Sequence, residues 1–244
     1  MIFQVLTLFP EMIDNYMNCS IMKRALQSQQ ITCDVLNIRD FATDKHQTAD
    51  DTPFGGGPGM VMKPEPLGRA IEAARTSTPT PHPIVYLSPQ GKTWNQEMAV
   101  DFSKFDGLTL LCGRYEGIDE RIIETYVDYE VSIGDYVLTG GELGALVMMD
   151  SIVRLIPGVL GNDDSASQDS FSNDGLLDCP HYTRPEVWND QKVPEILMSG
   201  HHGNIEKWRR KMSLIRTRER RPDIFEKLEP ELSKKDRKLL EDLD

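Results

Sequence analysis

Short apolar runs alternate with amphipathic segments along the first two thirds of the chain. The apolar runs predict strands at 1–9, 31–38, 84–87, 108–112 and 127–133. Apolar residues at helical spacing predict helices at 11–29, 93–102, 118–126 and 142–156. This alternation is typical of an α/β fold, in which a parallel sheet carries helices on both faces.

Three of the predicted strands run into glycine-containing loops, which follow Leu87, Cys112 and Ile133. In open α/β sheets, ligands bind beyond the carboxyl ends of the strands. Glycine lets a ligand approach the backbone closely, because it has no Cβ. The pattern therefore predicts one pocket built from three loops, although any single loop could equally be a tight turn.

The last third of the chain has a different pattern. Segment 50–60 is predicted to be an irregular glycine-rich loop, and segment 161–175 a linker that stays mobile until a partner binds. Residues 176–244 are predicted to form a small α-helical domain. Its basic helix should begin after an Asn204 cap and end at Pro222, and a final helix at 234–243 should be capped by Ser233 and Asp236.

Composition narrows the class of protein. Of the 244 residues, 39% are hydrophobic and 27% charged, as in soluble globular proteins. We find no apolar run long enough to cross a bilayer and no signal-peptide pattern. The four cysteines form no C-x-x-C pair and the five histidines no metal-ligand spacing. We expect reduced thiols in a cytoplasmic protein, without a recognisable metal site.

Charge is distributed unevenly. The net charge of −12 alone argues against a polyanionic partner. Residues 205–221, however, contain eight basic and two acidic side chains. Because salt screens charges more than about 8 Å apart, a compact basic patch can bind phosphates on an acidic protein. The alternative is a solvated helix face.

Two common nucleotide-binding motifs are missing. Gly91-Lys92-Thr93 resembles the end of a P-loop, but Tyr86 stands where the first glycine is required. No G-x-G-x-x-G occurs at a strand-to-helix turn. These failures count against a nucleoside triphosphatase and against an ordinary nicotinamide dehydrogenase.

Six motifs in order resemble the bacterial tRNA (guanine-N1)-methyltransferase family, a member of the SPOUT class. They lie at 55–60, 87–91, 111–121, 133–144, 156–160 and 177–185, so the resemblance covers essentially the whole chain. It implies methyl transfer from S-adenosylmethionine to N1 of the guanosine immediately 3′ of the anticodon in tRNA. It also implies a trefoil knot at the C-terminal end of the SPOUT domain, a homodimer with shared active sites, and dependence on Mg²⁺.

The resemblance also assigns regions and residues. Residues 1–160 would bind the methyl donor, 161–175 would be the linker, and 176–244 would bind tRNA. The donor would contact Tyr86, Leu87, Ser88, Pro89, Gln90, Gly113, Glu116, Ile133, Gly134, Asp135, Tyr136, Val137, Leu138, Gly140 and Gly141. The tRNA would contact Gly59, His181, Tyr182, Arg184, Arg209, Arg210 and Lys211.

Catalysis would rest on Asp169 and Arg154. Asp169 would remove the proton from guanine N1, and Arg154 would stabilise the negative charge that develops on O6. From the residue pattern alone, Asp169 is a solvated linker carboxylate and Arg154 a cation at a helix C-terminus. Two other functions stay open at this point: a SPOUT ribose 2′-O-methyltransferase, and an RNA-binding protein without catalysis.

Overall fold

The computed structural model describes residues 1–161, 169–172 and 174–241. The chain divides into two compact units, Met1–Gly161 and Asn162–Asp244. The division lies beside the boundary expected at residue 160. Most of the predicted linker, 162–168 and 173, lies outside the described residues.

A five-stranded sheet forms the centre of the first unit. Its strand order is β2-β1-β6-β5-β7, and every neighbouring pair is parallel. The strands are β1 (Ile2–Thr7), β2 (Thr32–Asn37), β5 (Ile84–Thr93), β6 (Gly107–Cys112) and β7 (Tyr129–Ser132). A short antiparallel pair, β3 (Asp50–Asp51) and β4 (Val61–Met62), lies outside this sheet. The predicted parallel sheet is confirmed.

Helices cover both faces of the sheet, as predicted. One buried cluster joins the sheet to α1 (Pro10–Met17), α2 (Ser20–Gln27), α4 (Gln96–Phe102) and α6 (Glu142–Val153). A second cluster, on the opposite face, joins it to α3 (Pro64–Thr76), α5 (Glu120–Tyr126) and a 3-10 helix at Ile38–Phe41. All residues of β6 are buried, because both of its faces are covered.

Three elements of this unit differ from the sequence predictions. The single helix expected at 11–29 is two helices, separated at Asn18 and Cys19, and Ser20 has a positive φ of 45°. Helix α3 was missed although Leu67, Ala70, Ile71 and Ala74 recur at helical spacing. Strand β5 continues through the loop expected at 88–91, with a register shift between Leu87 and Lys92.

The second unit is mainly helical. Its helices are α7 (Glu195–Met198), α8 (His202–Arg220), α9 (Pro222–Leu228) and α10 (Lys234–Glu241). A small core of Leu176, Leu214 and Phe225 joins α8, α9 and α10. A hairpin of β8 (Val187–Trp188) and β9 (Gln191–Lys192) was not predicted.

The helix ends of this unit only partly match expectation. Helix α8 begins at His202, so Asn204 lies inside it and is not its cap. It ends at Arg220, and Pro222 opens the next helix, as its missing N–H allows. The Asp236 N–H donates to the Ser233 hydroxyl at 3.1 Å, which confirms the predicted cap. Across the described residues, no helix has the length and apolarity needed to span a bilayer.

Candidate functional site

The middle of β5 and the carboxyl ends of β6 and β7 line a cavity of about 250 Å³. The structure thus brings together the three loops singled out in the sequence. The residues that line the cavity are Tyr86, Leu87, Ser88, Pro89, Gly113, Arg114, Tyr115, Glu116, Gly117, Val131, Ser132, Ile133, Gly134, Tyr136, Val137, Leu138, Thr139, Gly140, Gly141 and Gly144.

Most residues expected to contact the methyl donor line this cavity. The exceptions are Gln90 and Asp135, which are exposed and do not line it. Seven further lining residues were missed, although all but Val131 and Ser132 belong to the quoted motifs. They are Arg114, Tyr115, Gly117, Val131, Ser132, Thr139 and Gly144. The signal that could have found them is their place on the same loops.

Close backbone packing explains why residue 141 is a glycine. The Gly141 N–H donates to the Gly113 carbonyl at 2.9 Å, which joins the third loop to the second. A Cβ at Gly141 would lie 2.9 Å from Cα of Cys112 and 3.1 Å from Cβ of Leu87. Gly141 is therefore required by the packing of α6 against the strands, whatever ligand the pocket holds.

The third loop turns sharply at Gly134. Its φ is +144°, and the Tyr136 N–H donates to the Gly134 carbonyl at 2.9 Å. The loop then presents apolar side chains to the surface: Tyr136 is 56% and Val137 92% exposed. The pocket thus has an inner wall of buried strand residues and an outer wall of exposed apolar ones.

Tyr86 forms part of the inner wall. A Cβ at Gly113 would lie 2.9 Å from the Tyr86 ring, so the ring packs directly against the second loop. Burial raises the pKa of Tyr86, and a backbone hydrogen bond with Ile118 opposes this only partly. Tyr86 is therefore neutral at physiological pH and acts as a wall rather than as a base.

Gly59 lies beside Glu116. The Glu116 N–H donates to the Met60 carbonyl at 3.0 Å, and a Cβ at Gly59 would overlap the Glu116 carboxylate. One residue expected to contact tRNA thus adjoins one expected to contact the methyl donor. The structure thus places these two residues side by side within the first unit.

The second unit contains a separate group of predicted residues. His181, Tyr182 and Arg209 line a surface cavity of about 310 Å³. Asp169 lines an adjacent one of about 390 Å³, to which His181 and Arg209 also contribute. The exposed Arg184 and the half-buried Lys211 line neither cavity. Trp208 is half-buried, with its ring 6.4 Å from that of Tyr182.

Arg210 is paired with carboxylates of its own unit. Its guanidinium lies 2.8 Å from Asp236 and 3.2 Å from Asp174, and the hydrogen bond to Asp236 raises the pKa of Arg210. Two carboxylates thus neutralise a side chain that was expected to bind phosphate. This arrangement indicates that Arg210 holds the helices together, joining α8 to α10.

The two predicted catalytic residues lie in different units. Arg154 is the C-cap of α6 in the first unit, the position that the helix dipole favours for a cation. Asp169 lies in the second unit, where its carbonyl accepts the Ser172 N–H at 3.2 Å. Their pairing stays a prediction.

Asp178, Cys179 and His181 are the kinds of residue that hold metals, and their ligand atoms lie within 4.8 Å of one another. The Asp178 carboxylate, however, is already bonded to His181 at 2.7 Å and to the Cys179 N–H at 2.6 Å. Burial also raises the pKa of the Cys179 thiol, which disfavours the thiolate that a metal needs. These contacts favour a hydrogen-bonded turn over a metal centre.

Comparison with known proteins extends the resemblance found in the motifs. A profile of the family described as tRNA (Guanine-1)-methyltransferase TrmD matches residues 1–227. The chain is 54% identical over 239 residues to a tRNA (guanine-N(1)-)-methyltransferase of Dehalococcoides mccartyi strain 195, covering 98% of this chain and 95% of the relative. A Pseudomonas entomophila protein of the same name is 54% identical over 241 residues, covering 98% and 94%.

A solved structure agrees with the sequence relatives. The crystal structure of tRNA (m1G37) methyltransferase from Aquifex aeolicus aligns with a TM-score of 0.71 at 38% identity, covering 85% of this chain and 87% of that one. The family match spans nearly all of the chain and both of its units. The chain therefore belongs to the tRNA (guanine-1)-methyltransferase family.

Proposed function

We propose that the protein transfers a methyl group from S-adenosylmethionine to N1 of the guanosine immediately 3′ of the anticodon in tRNA, and that the three-loop cavity binds the methyl donor. The observation that carries this proposal is the convergence of three loops on one pocket in a chain of this family. The donor supplies an electrophilic methyl group on a sulfonium.

The pocket residues fit such a ligand. Leu87, Val131 and Leu138 offer apolar walls, and the loops between them offer backbone donors and acceptors, as a neutral purine requires. Glu116 adds a carboxylate that can face the donor's ammonium group. The buried side of the pocket excludes water, which strengthens electrostatic interactions inside it.

The methyl-accepting nitrogen of guanine carries a proton that must leave. We assign its removal to Asp169 and the stabilisation of charge on O6 to Arg154. A positive charge near O6 makes N1–H more acidic, which helps a carboxylate remove the proton. We propose that tRNA binding positions Asp169, so that recognition of the substrate and catalysis are coupled.

We assign tRNA binding to the second unit. Arg209 and Lys211 on α8 would bind phosphates, with His181, Tyr182 and Arg184 nearer the target base. Gly59 would contact the substrate from the first unit. Arg210 is left out of this surface, because Asp236 and Asp174 already neutralise it.

The proposal extends to the chain path and the assembly. We propose a trefoil knot because the chain belongs to this family. The third loop lies against the second, where the backbones of Arg114 and Gly140 pair. A homodimer is supported by apolar side chains that α6 leaves exposed, Leu143 at 48% and Val147 at 46%. We further propose that the enzyme is cytoplasmic. We also propose that it depends on Mg²⁺, since its tRNA substrate is a folded polyanion.

The test is methyl transfer to unmodified tRNA transcripts, followed by mapping of the altered nucleoside. The proposal predicts N1-methylguanosine immediately 3′ of the anticodon. A 2′-O-methyl product would indicate the ribose methyltransferase instead. RNA binding without transfer, and without affinity for S-adenosylhomocysteine, would indicate an RNA-binding protein.

A further inference from the structure

Four residues beside the pocket form a closed set of contacts, which we name the ion-pair ring: Thr7, Phe9, Arg114 and Glu142. The Thr7 hydroxyl donates to Oε1 of Glu142 at 2.7 Å and accepts the Phe9 N–H at 2.9 Å. The Phe9 ring lies 4.2 Å from Cζ of Arg114. Nε of Arg114 lies 2.9 Å from Oε2 of Glu142, which closes the ring.

Glu142 is the buried charge in this ring, with a side chain only 1% exposed. A buried carboxylate is costly unless other groups compensate it. Arg114, the Thr7 hydroxyl and the positive end of the α6 dipole supply that compensation. Nε and Oε2 meet as an ion pair rather than as an aligned hydrogen bond.

Arg114 connects the ring to two loops of the pocket. It belongs to the second loop and lines the cavity. Its Nη1 donates to the Thr139 carbonyl in the third loop at 3.3 Å. The same side chain is held from the other side by Glu142. The position of Glu142 therefore influences the spacing between the two loops.

We infer that Glu142 is a positioning residue for methyl-donor binding, acting through Arg114 on the second and third loops. The inference rests on the proposed function, because it takes the cavity as the donor site. Stability alone does not require an ion pair here, since packed apolar residues often replace a buried pair without loss. Preorganised loops, in contrast, lower the cost of ordering a site around its ligand.

Glu142→Gln tests this inference, because it keeps the side-chain size and removes the charge. Calorimetric titration of the full chain with S-adenosylhomocysteine should show affinity about tenfold weaker than wild type, the size expected for losing a charged contact. Thr7→Val should weaken binding several-fold by removing the ring's hydroxyl. In steady-state assays the KM for the donor should rise, while the KM for tRNA stays at the wild-type value.

Glu65→Gln is the matched control. Glu65 is also an acid in the first turn of a helix, but it is exposed and does not line the cavity. Its variant should bind S-adenosylhomocysteine like wild type. A merely structural role for Glu142 would lower the amount of folded protein without separating the two KM values.

The outcomes distinguish the positioning role of Glu142 from the proposed function of the cavity. A folded Glu142→Gln variant with wild-type affinity would overturn the positioning role. If that variant does not fold, unchanged affinity in Thr7→Val would overturn it. Absence of binding by the wild-type protein would instead contradict the proposed function.

Discussion

At the scale of single residues, the proposed chemistry needs a base for a weakly acidic ring nitrogen and a cation beside the oxygen that gains charge. The sequence pattern could not assign either role. Arg154 ends a helix, where a cation is favoured on electrostatic grounds alone. Asp169 follows a stretch of polar residues that resembles any linker. Only the family resemblance distinguished these residues from ordinary surface charges.

We predict that Asp169→Asn lowers turnover by about 10² to 10⁴, the usual contribution of a general base. Affinities for S-adenosylhomocysteine and for tRNA should stay unchanged, because the amide keeps the size of the side chain. Single-turnover methyl transfer and two binding titrations measure these quantities. Asp174→Asn, a nearby carboxylate paired with Arg210, is the control and should keep full turnover. Normal turnover in Asp169→Asn would remove its catalytic role.

A second residue-scale prediction concerns Asp236. The hydrogen bond from Arg210 holds the pKa of Asp236 below its usual value, so the pair stabilises the fold above the unfolded pKa of about 3.9. This stability is lost as the pH falls through the lowered folded pKa. Asp236→Asn should cost on the order of 1–3 kcal/mol in urea unfolding at pH 7, and the difference should shrink in strong acid.

The Arg221–Asp223 pair provides the comparison, since it is exposed in the same unit at 2.8 Å. Exposed ion pairs contribute little to stability. Asp223→Asn should therefore leave the unfolding curve nearly unchanged at pH 7. An equal effect of the two substitutions would contradict the structural role of Arg210.

At the scale of elements, the glycines of the three loops can serve close packing between strands or access for a ligand. The sequence could not separate these two functions. Their positions at strand ends predicted a shared pocket, and the structure brings the loops together. The partners of each glycine were not predictable, because they lie on other strands. Gly141, expected to admit a ligand, packs first against Cys112 and Leu87.

Gly141→Ala should destabilise the protein by about 1–3 kcal/mol, because its Cβ meets the Cys112 backbone, which cannot move aside easily. It should also weaken binding of S-adenosylhomocysteine, since the second loop follows β6 and the third loop leads into α6. Thermal unfolding and calorimetry measure the two effects. Gly144→Ala, one turn further along α6, meets only the Leu87 side chain at 3.2 Å and should cost less. The reverse order would contradict this packing.

Helix α8 is the element on which tRNA affinity should depend. Counting charges in the sequence identified the basic character of α8. It could not show that Arg210 pairs with Asp174 and Asp236, because these carboxylates are distant from Arg210 in sequence. We predict that Arg209→Gln and Lys211→Gln each reduce the slope of log K against log salt by about 1. Lys104→Gln, a cation paired with Asp101 in the first unit, is the control. A slope unaffected by either α8 variant would exclude this surface.

At the scale of the whole molecule, a sheet-based unit offers a ligand pocket and a helical unit offers a basic helix. Periodicity predicted the α/β class and most elements of the first unit. It could not give the strand order β2-β1-β6-β5-β7, because apolar runs carry no information about their partners. The small β8–β9 hairpin was missed because its strands are two residues long and exposed, so they form no apolar run.

Every step of the proposed reaction depends on binding of the methyl donor in the three-loop cavity. Calorimetric titration of the purified protein with S-adenosylhomocysteine tests it most directly, with the Gly141→Ala variant titrated alongside. We expect saturable binding and a raised melting temperature for the wild-type protein, and weaker binding for the variant. No heat and no change in melting temperature for the wild-type protein would contradict it.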